Sequence, residues 1–431
     1  MGSIIRPVKQ TLFRTLARPL LAFTLLTLGV AQTPGSAQEQ ARERERFFYF
    51  LEGDLMGGYS KIQGREGLFA ASGRWLASPV VRLWDRFHWI NLYTGSYDRQ
   101  SQVVAQEEGG RQSEETLTHS YSSAFRWQFA EGWTARPHFF SDWAFVKETD
   151  DEDLGDGLYD YRDLGGGLEL ARALSETETS RSEVRTGLRV FEREYENYVS
   201  LVSLFDPNGS PETREKDFIG YKWNAGLQSD RKDGWSAGAE YIFLYKDFTD
   251  KRTIDANGIR SGSETREDFV HYLNFNASHP LSSELRFRLD VLLSANDSNL
   301  DFYDTRNTAS LADDTFVPDY FDYLSATIGP SIGWRREISK ERFAEMIFGY
   351  SYTILRYTDR KAQNAAGVYG TSDEEDDKHV LSARVSWPVT ANLSWIGSFS
   401  YTMADSNQKF EDFYLYNYDS WTALSGLSFR Y

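Results

Sequence analysis

The chain alternates. In 285–293, Leu285, Phe287, Leu289, Val291 and Leu293 occupy one face, opposed by Arg286, Arg288 and Asp290. In 117–129, Leu117, Tyr121, Phe125, Trp127 and Phe129 oppose Thr118, Ser120, Ser122, Arg126 and Gln128. The segments 379–389 and 421–431 repeat the pattern, the latter with Trp421, Ala423, Leu427, Phe429 and Tyr431 against Ser420, Thr422, Ser428 and Arg430. A period of two means β-strands with one apolar and one polar face. Connections then alternate in length. Short ones such as Ala130-Glu131-Gly132, Pro280-Leu281-Ser282-Ser283 and Thr390-Ala391-Asn392 alternate with long polar ones near 148–157, 248–264, 297–320, 358–376 and 406–419. Short turns at one end and long loops at the other are the rhythm of a transmembrane up-and-down barrel. A soluble two-sheet sandwich gives no reason for it.

Sixteen strands are predicted, near 47–58, 67–77, 86–97, 116–129, 133–147, 158–171, 182–195, 217–229, 235–248, 266–278, 284–296, 321–335, 342–356, 378–389, 393–404 and 420–431. Fourteen or eighteen are the alternatives. An even count puts both termini on the short-turn side. Lipid offers no hydrogen-bond partners, so a sheet in it must close on itself. The apolar faces then meet lipid and the polar faces line the interior. Trp89, Tyr121, Trp133, Trp143, Tyr221, Trp235, Tyr245, Trp334, Tyr350, Tyr352, Trp387, Trp395, Tyr401 and Trp421 fall near strand ends, where interfacial girdles form.

The first residues set the compartment. Arg6, Lys9, Arg14 and Arg18 precede a short apolar run, Leu20–Leu28, and Gly35-Ser36-Ala37 supplies small residues before a cleavage point. Residues 1–37 therefore read as a secretory signal peptide, 38–46 as a short charged periplasmic stretch, and 47–431 as one barrel. The 431 residues include no cysteine, which excludes disulfides and thiolate metal sites; the net charge of −17 argues against a nucleic-acid partner.

At this point the sequence resembles bacterial outer-membrane β-barrels of the porin-like kind, over about 47–431. The sharpest element is the chain end, where Leu427, Phe429 and the terminal Tyr431 alternate outward. The resemblance implies that this ending is the signal read by the barrel-assembly machinery, that the location is the outer membrane of a Gram-negative bacterium, and that the surroundings are lipid and lipopolysaccharide. It implies a channel for passive passage of small hydrophilic solutes, anions among them. The alternatives are the barrel component of a polysaccharide or protein export system, which would bring a partner protein, and a closed structural or adhesive barrel. A homo-oligomer is compatible with each.

The candidate permeation residues follow from the polar faces: Arg126, Arg136, Arg185, Arg189, Arg193, Lys222, Glu240, Arg286, Arg288 and Arg384. Arg430 shares this face, as do the acids Asp142, Glu183, Asp268, Asp290 and Glu345. Arg185, Arg189 and Arg193 stand four apart on one strand face. They read either as a ladder for anions or as a structural network paired with Glu183, Glu240 or Glu345. Two acidic runs, 148–156 and 373–377, read as solvated loops, without an EF-hand pattern. His119, His271 and His379 face outward, but no serine partner suggests a triad, so they read as girdle residues. No catalytic motif, cofactor or metal site is predicted.

Overall fold

The computed structural model describes residues 46–101, 113–147, 152–177, 179–199, 214–304, 315–340, 342–411 and 414–431. The signal peptide, nearly all of the 38–46 stretch and the part of the first acidic run at 148–151 lie outside the described residues. Compact packing begins at Tyr49 and runs to Tyr431.

Sixteen strands form a closed barrel: β1 (Phe47–Ile62), β2 (Leu68–Trp84), β3 (Phe87–Ser101), β4 (Ser113–Ala130), β5 (Trp133–Lys147), β6 (Tyr161–Glu176), β7 (Ser180–Glu194), β8 (Phe218–Arg231), β9 (Ser236–Ile254), β10 (Arg260–Pro280), β11 (Leu285–Ser298), β14 (Tyr323–Ser339), β15 (Arg342–Gln363), β16 (Tyr369–Pro388), β17 (Leu393–Ser406) and β18 (Tyr418–Arg430). The loop between β11 and β14 carries a separate short hairpin, β12 (Phe302–Asp304) with β13 (Thr315–Val317). Neighbours in the barrel follow chain order, and β18 closes the circle antiparallel on β1. The strand count and closure are those the alternation predicts.

The barrel strands run from 13 to 22 residues, beyond the ~9–11 that a tilted strand needs to cross a bilayer. The excess lies on the long-loop side, and it corrects two predicted loops. The segments 248–264 and 358–376 are mostly strand. β9 and β10 continue to a tight turn at 255–259, and β15 and β16 to another at 364–368. Each turn ends in a glycine with positive φ, Gly258 (73°) and Gly367 (74°), after Asp255 or Asn364, whose side chain accepts backbone N–H bonds across the turn. In these extensions the outer face is polar and the inner face is partly covered by loops through polar contacts, so the apolar alternation fades while the ladder persists. The acidic run 373–377 is accordingly a strand segment: Lys361 pairs with Asp373 and Arg356 with Glu375 on one face, while Glu374 and Asp376 share the other.

Closure is tight. Met56 sits opposite Gly426 and Gly58 opposite Leu424. A Cβ on Gly426 would stand 1.8 Å from the Leu55 carbonyl oxygen, and one on Gly58 1.9 Å from that of Ala423. The obstacle is backbone in both cases, so the seam cannot yield by moving a side chain. Gly426→Val is expected to block closure: in the heat-modifiability gel, the unboiled variant should run at the unfolded position instead of the compact one. A compact band like that of the parent would refute this account of the seam.

Candidate functional site: the inner wall

The two faces of the wall separate as expected. Leu55, Phe69, Leu164, Leu188, Ile328, Leu381 and Leu427 all stay exposed on the outer face of the isolated chain. Outward aromatic rings stack into two belts. One includes Trp127–Phe129–Trp133, and the other Tyr221–Tyr245–Phe269 with centroids 5.9 and 5.0 Å apart. Belts of this kind suit the two polar boundaries of a bilayer. The assembly-signal residues Leu427, Phe429 and Tyr431 lie exposed on this outer face. The outward histidines carry a shared geometry that sequence does not reveal. His119, His271 and His379 each accept or donate one 2.7 Å hydrogen bond through Nδ1 with the hydroxyl of Tyr93, Tyr241 and Tyr350, from the preceding strand.

The opposite face is concave. Arg185 on β7 reaches Glu240 on β9 over the intervening β8, and Arg384 on β16 reaches Asp54 on β1 past two strands. Bonds that skip strands form only on the inside of a curved sheet. All ten candidate positions share this inner face by register and contact.

Pairing then divides the candidates. Arg136 donates to Glu169 (2.7 Å), Arg185 to Glu240 (3.2 Å), Arg288 to Asp290 (2.6 Å) and Arg384 to Asp54 (2.8 Å). Arg193 holds Asp163 with two parallel 2.7 Å bonds, and its guanidinium lies 3.9 Å from the Tyr161 ring centroid. Arg286 bonds neutral groups, the Gly234 carbonyl (2.7 Å) and Ser278 Oγ (3.1 Å). Arg126, Arg189 and Lys222 have no carboxylate partner among the described residues.

The three-rung ladder is therefore not three free cations. Its ends are neutralised, and only Arg189 is left. Of the three partners expected, Glu240 does take Arg185, whereas Glu183 pairs with Arg181 and Glu345 with Arg335. Opposite Arg189 in the ladder between β7 and β8 stands Lys222. Two like charges directly opposed repel, so the wall holds positive charge here at a cost to its own stability.

Sequence reading missed Asp163, Asp54 and Glu169 as partners, and an inner aromatic group: Phe140, Phe191, Phe218 and Phe248, linked by ring contacts of 5.3–6.1 Å. The available signal was Phe139-Phe140, a consecutive pair in which one ring must face inward.

The long-loop end carries a second buried group. Arg360 Nε donates to Glu374 (2.8 Å) between the rings of Tyr320 and Tyr357, and the Glu374 side chain is fully buried. Gln408, just after β17, accepts from the Gln363 N–H (2.8 Å) and donates to Glu374 (3.2 Å). Tyr369 donates to Asp304 of β12 (2.9 Å), tying the β11–β14 loop to the same cluster. Burial raises the Glu374 carboxyl to about 7, outweighing the pull of Arg360, and burial raises Asp376 as well. The folded cluster thus binds more protons than the open loop between the ordinary carboxylate range and pH 7. Its stability falls as pH rises through that window and is flat above it. Proteolysis at 407–411, normalised to an unstructured peptide, is expected to quicken from pH 5 to pH 7, by at most ~tenfold per unit. Glu374→Gln should flatten the profile; an unaltered pH profile in that variant would exclude Glu374 as the cause.

No protein-family model matches the chain, and no curated protein matches it. Solved structures do. "Bacterial polysaccharide outer membrane secretin" is 10% identical with a TM-score of 0.42, covering 89% of this chain and 98% of that one. Pseudomonas putida OprB is 10% identical with a TM-score of 0.48, covering 92% and 96%. CdiB from Acinetobacter baumannii is 10% identical with a TM-score of 0.44, covering 88% and 60%. The chain has the outer-membrane β-barrel fold. That statement rests on its own closed, girdled sheet; likenesses this distant carry no argument about what the barrel does.

Proposed function

We propose that this protein is an outer-membrane channel for the passive passage of small hydrophilic solutes, with a preference for anions. One observation carries the reading. The inner wall is polar and holds Arg189 and Lys222 side by side without an ion pair among the described residues, while most other candidate cations on that face are paired. A sixteen-stranded barrel has the circumference for an aqueous path. The outward aromatic belts support lipid and lipopolysaccharide as its surroundings, and the lipid-facing Leu427, Phe429 and Tyr431 support recognition by the assembly machinery.

Liposome swelling tests the reading. Vesicles containing the purified protein are expected to swell in isotonic glycerol or arabinose, and faster in potassium gluconate than in an equally concentrated salt of a large cation with chloride. Vesicles that remain shrunken in every small solute would contradict it.

A further inference from the structure

The inner wall holds a third group beside the cationic pair. In the ladder that runs perpendicular to the strands, His138 of β5 faces Gly167 of β6, Gly167 faces Arg189 of β7, and Arg189 faces Lys222 of β8. Gly167 keeps the row together. A Cβ there would stand 2.9 Å from both His138 Cε1 and Arg189 Cγ, so the imidazole and the arginine stem converge over the glycine. Phe140 lies beneath the guanidinium, its ring centroid 5.7 Å away.

The imidazole is held in one tautomer. Its Nδ1 lies 3.2 Å from the Arg136 carbonyl oxygen, an acceptor only, so Nδ1 carries the hydrogen. In the neutral ring, Nε2 is then a bare acceptor. It is buried and has no hydrogen-bond partner among the described residues. An orphaned acceptor beside two cations that no carboxylate ion-pairs asks for one kind of ligand: an anion that still carries a hydroxyl. Glu169 is engaged by Arg136 and Glu240 by Arg185 and Asn224, while Asp142, on the same inner face, acts on Arg189 only through space and makes no ion pair with it.

We infer that His138, Arg189 and Lys222 form a binding station for a phosphate-like oxyanion that retains a proton. The guanidinium and ammonium hold the charged oxygens, in the manner that favours arginine for phosphate. The P–OH group donates to Nε2 of His138, which a small rotation of the buried imidazole toward the bore uncovers as the anion binds. Hydrogen phosphate and dihydrogen phosphate both offer that donor, and sulfate does not. The proposal deepens the channel reading by naming a solute class for the same wall.

The test is equilibrium binding of labelled inorganic phosphate to the folded, detergent-solubilised protein, which requires no conduction. The expected result is one saturable site, with sulfate competing at least ~tenfold less well than phosphate, the ratio a single hydrogen bond to a charged ligand supplies. His138→Ala should bring phosphate down to the affinity of sulfate. Arg189→Gln with Lys222→Gln should lower both by ~hundredfold or more, the loss of two charge-assisted contacts. Equal competition by sulfate and phosphate in the unaltered protein would overturn the station without recourse to any variant. So would full phosphate binding in a compactly folded double variant. A barrel that conducts but binds no phosphate overturns the station and leaves the channel standing; one that binds phosphate without conducting does the reverse.

Discussion

Arg189→Glu combined with Lys222→Glu is expected to turn an anion-preferring pore into a cation-preferring one. The pair contributes the positive charge of this part of the wall that no ion pair neutralises, and the double change replaces two positive charges by two negative ones at adjacent positions. Under a tenfold salt gradient the reversal potential should change sign, within the ~59 mV limit of ideal selectivity for a monovalent ion. Arg185→Gln makes the useful comparison. It removes one positive charge but also frees Glu240, the carboxylate that Arg185 now neutralises. Its effect should therefore have the same sign and be smaller. If the double variant keeps the parental reversal potential while the barrel conducts normally, Arg189 and Lys222 do not set selectivity.

The second large effect concerns stability. Asp163 is nearly buried, and both its oxygens are taken by Arg193, which itself packs between Tyr161 and Phe218. Asp163→Ala leaves that guanidinium without its counter-charge in a site from which water is largely excluded. Removing one member of a buried pair costs about 3–5 kcal/mol. Urea unfolding of the protein in lipid vesicles, followed by tryptophan fluorescence, should show a loss of that size. Replacing both members, as Asp163→Leu with Arg193→Met, should recover most of it, because the cost lies in the stranded charge more than in the lost bond. A loss below ~1 kcal/mol in Asp163→Ala would place the pair among weak, solvent-screened bridges instead.

These two predictions divide one strand face that reads uniformly in sequence. Arg185, Arg189 and Arg193 share a spacing and a side, and both facts are legible from the alternation. What separates them lies on other strands. Glu240 sits two strands from Arg185, and Asp163 on the neighbouring strand from Arg193, at registers that loops outside any local pattern decide. The barrel was legible for the opposite reason: closure needs only a period of two and a parity of connections, and both repeat along the chain. The alternation failed at the long-loop end, where β9, β10, β15 and β16 extend past the apolar stretch, with a polar outer face and an inner face packed by polar loop contacts. There the turn residues Asp255 to Gly258 and Asn364 to Gly367 were the better guide. The inner rings of Phe140, Phe191, Phe218 and Phe248 escaped notice because an aromatic residue on the polar face reads as noise until its neighbours are known.

The most direct measurement of the central claim is the conductance of the purified barrel in a planar bilayer with a potassium chloride gradient. The account predicts stable open steps and a reversal potential of the sign that marks chloride as the more permeant ion. A correctly folded barrel that stays silent, or one whose reversal potential marks potassium as the more permeant ion, would contradict it.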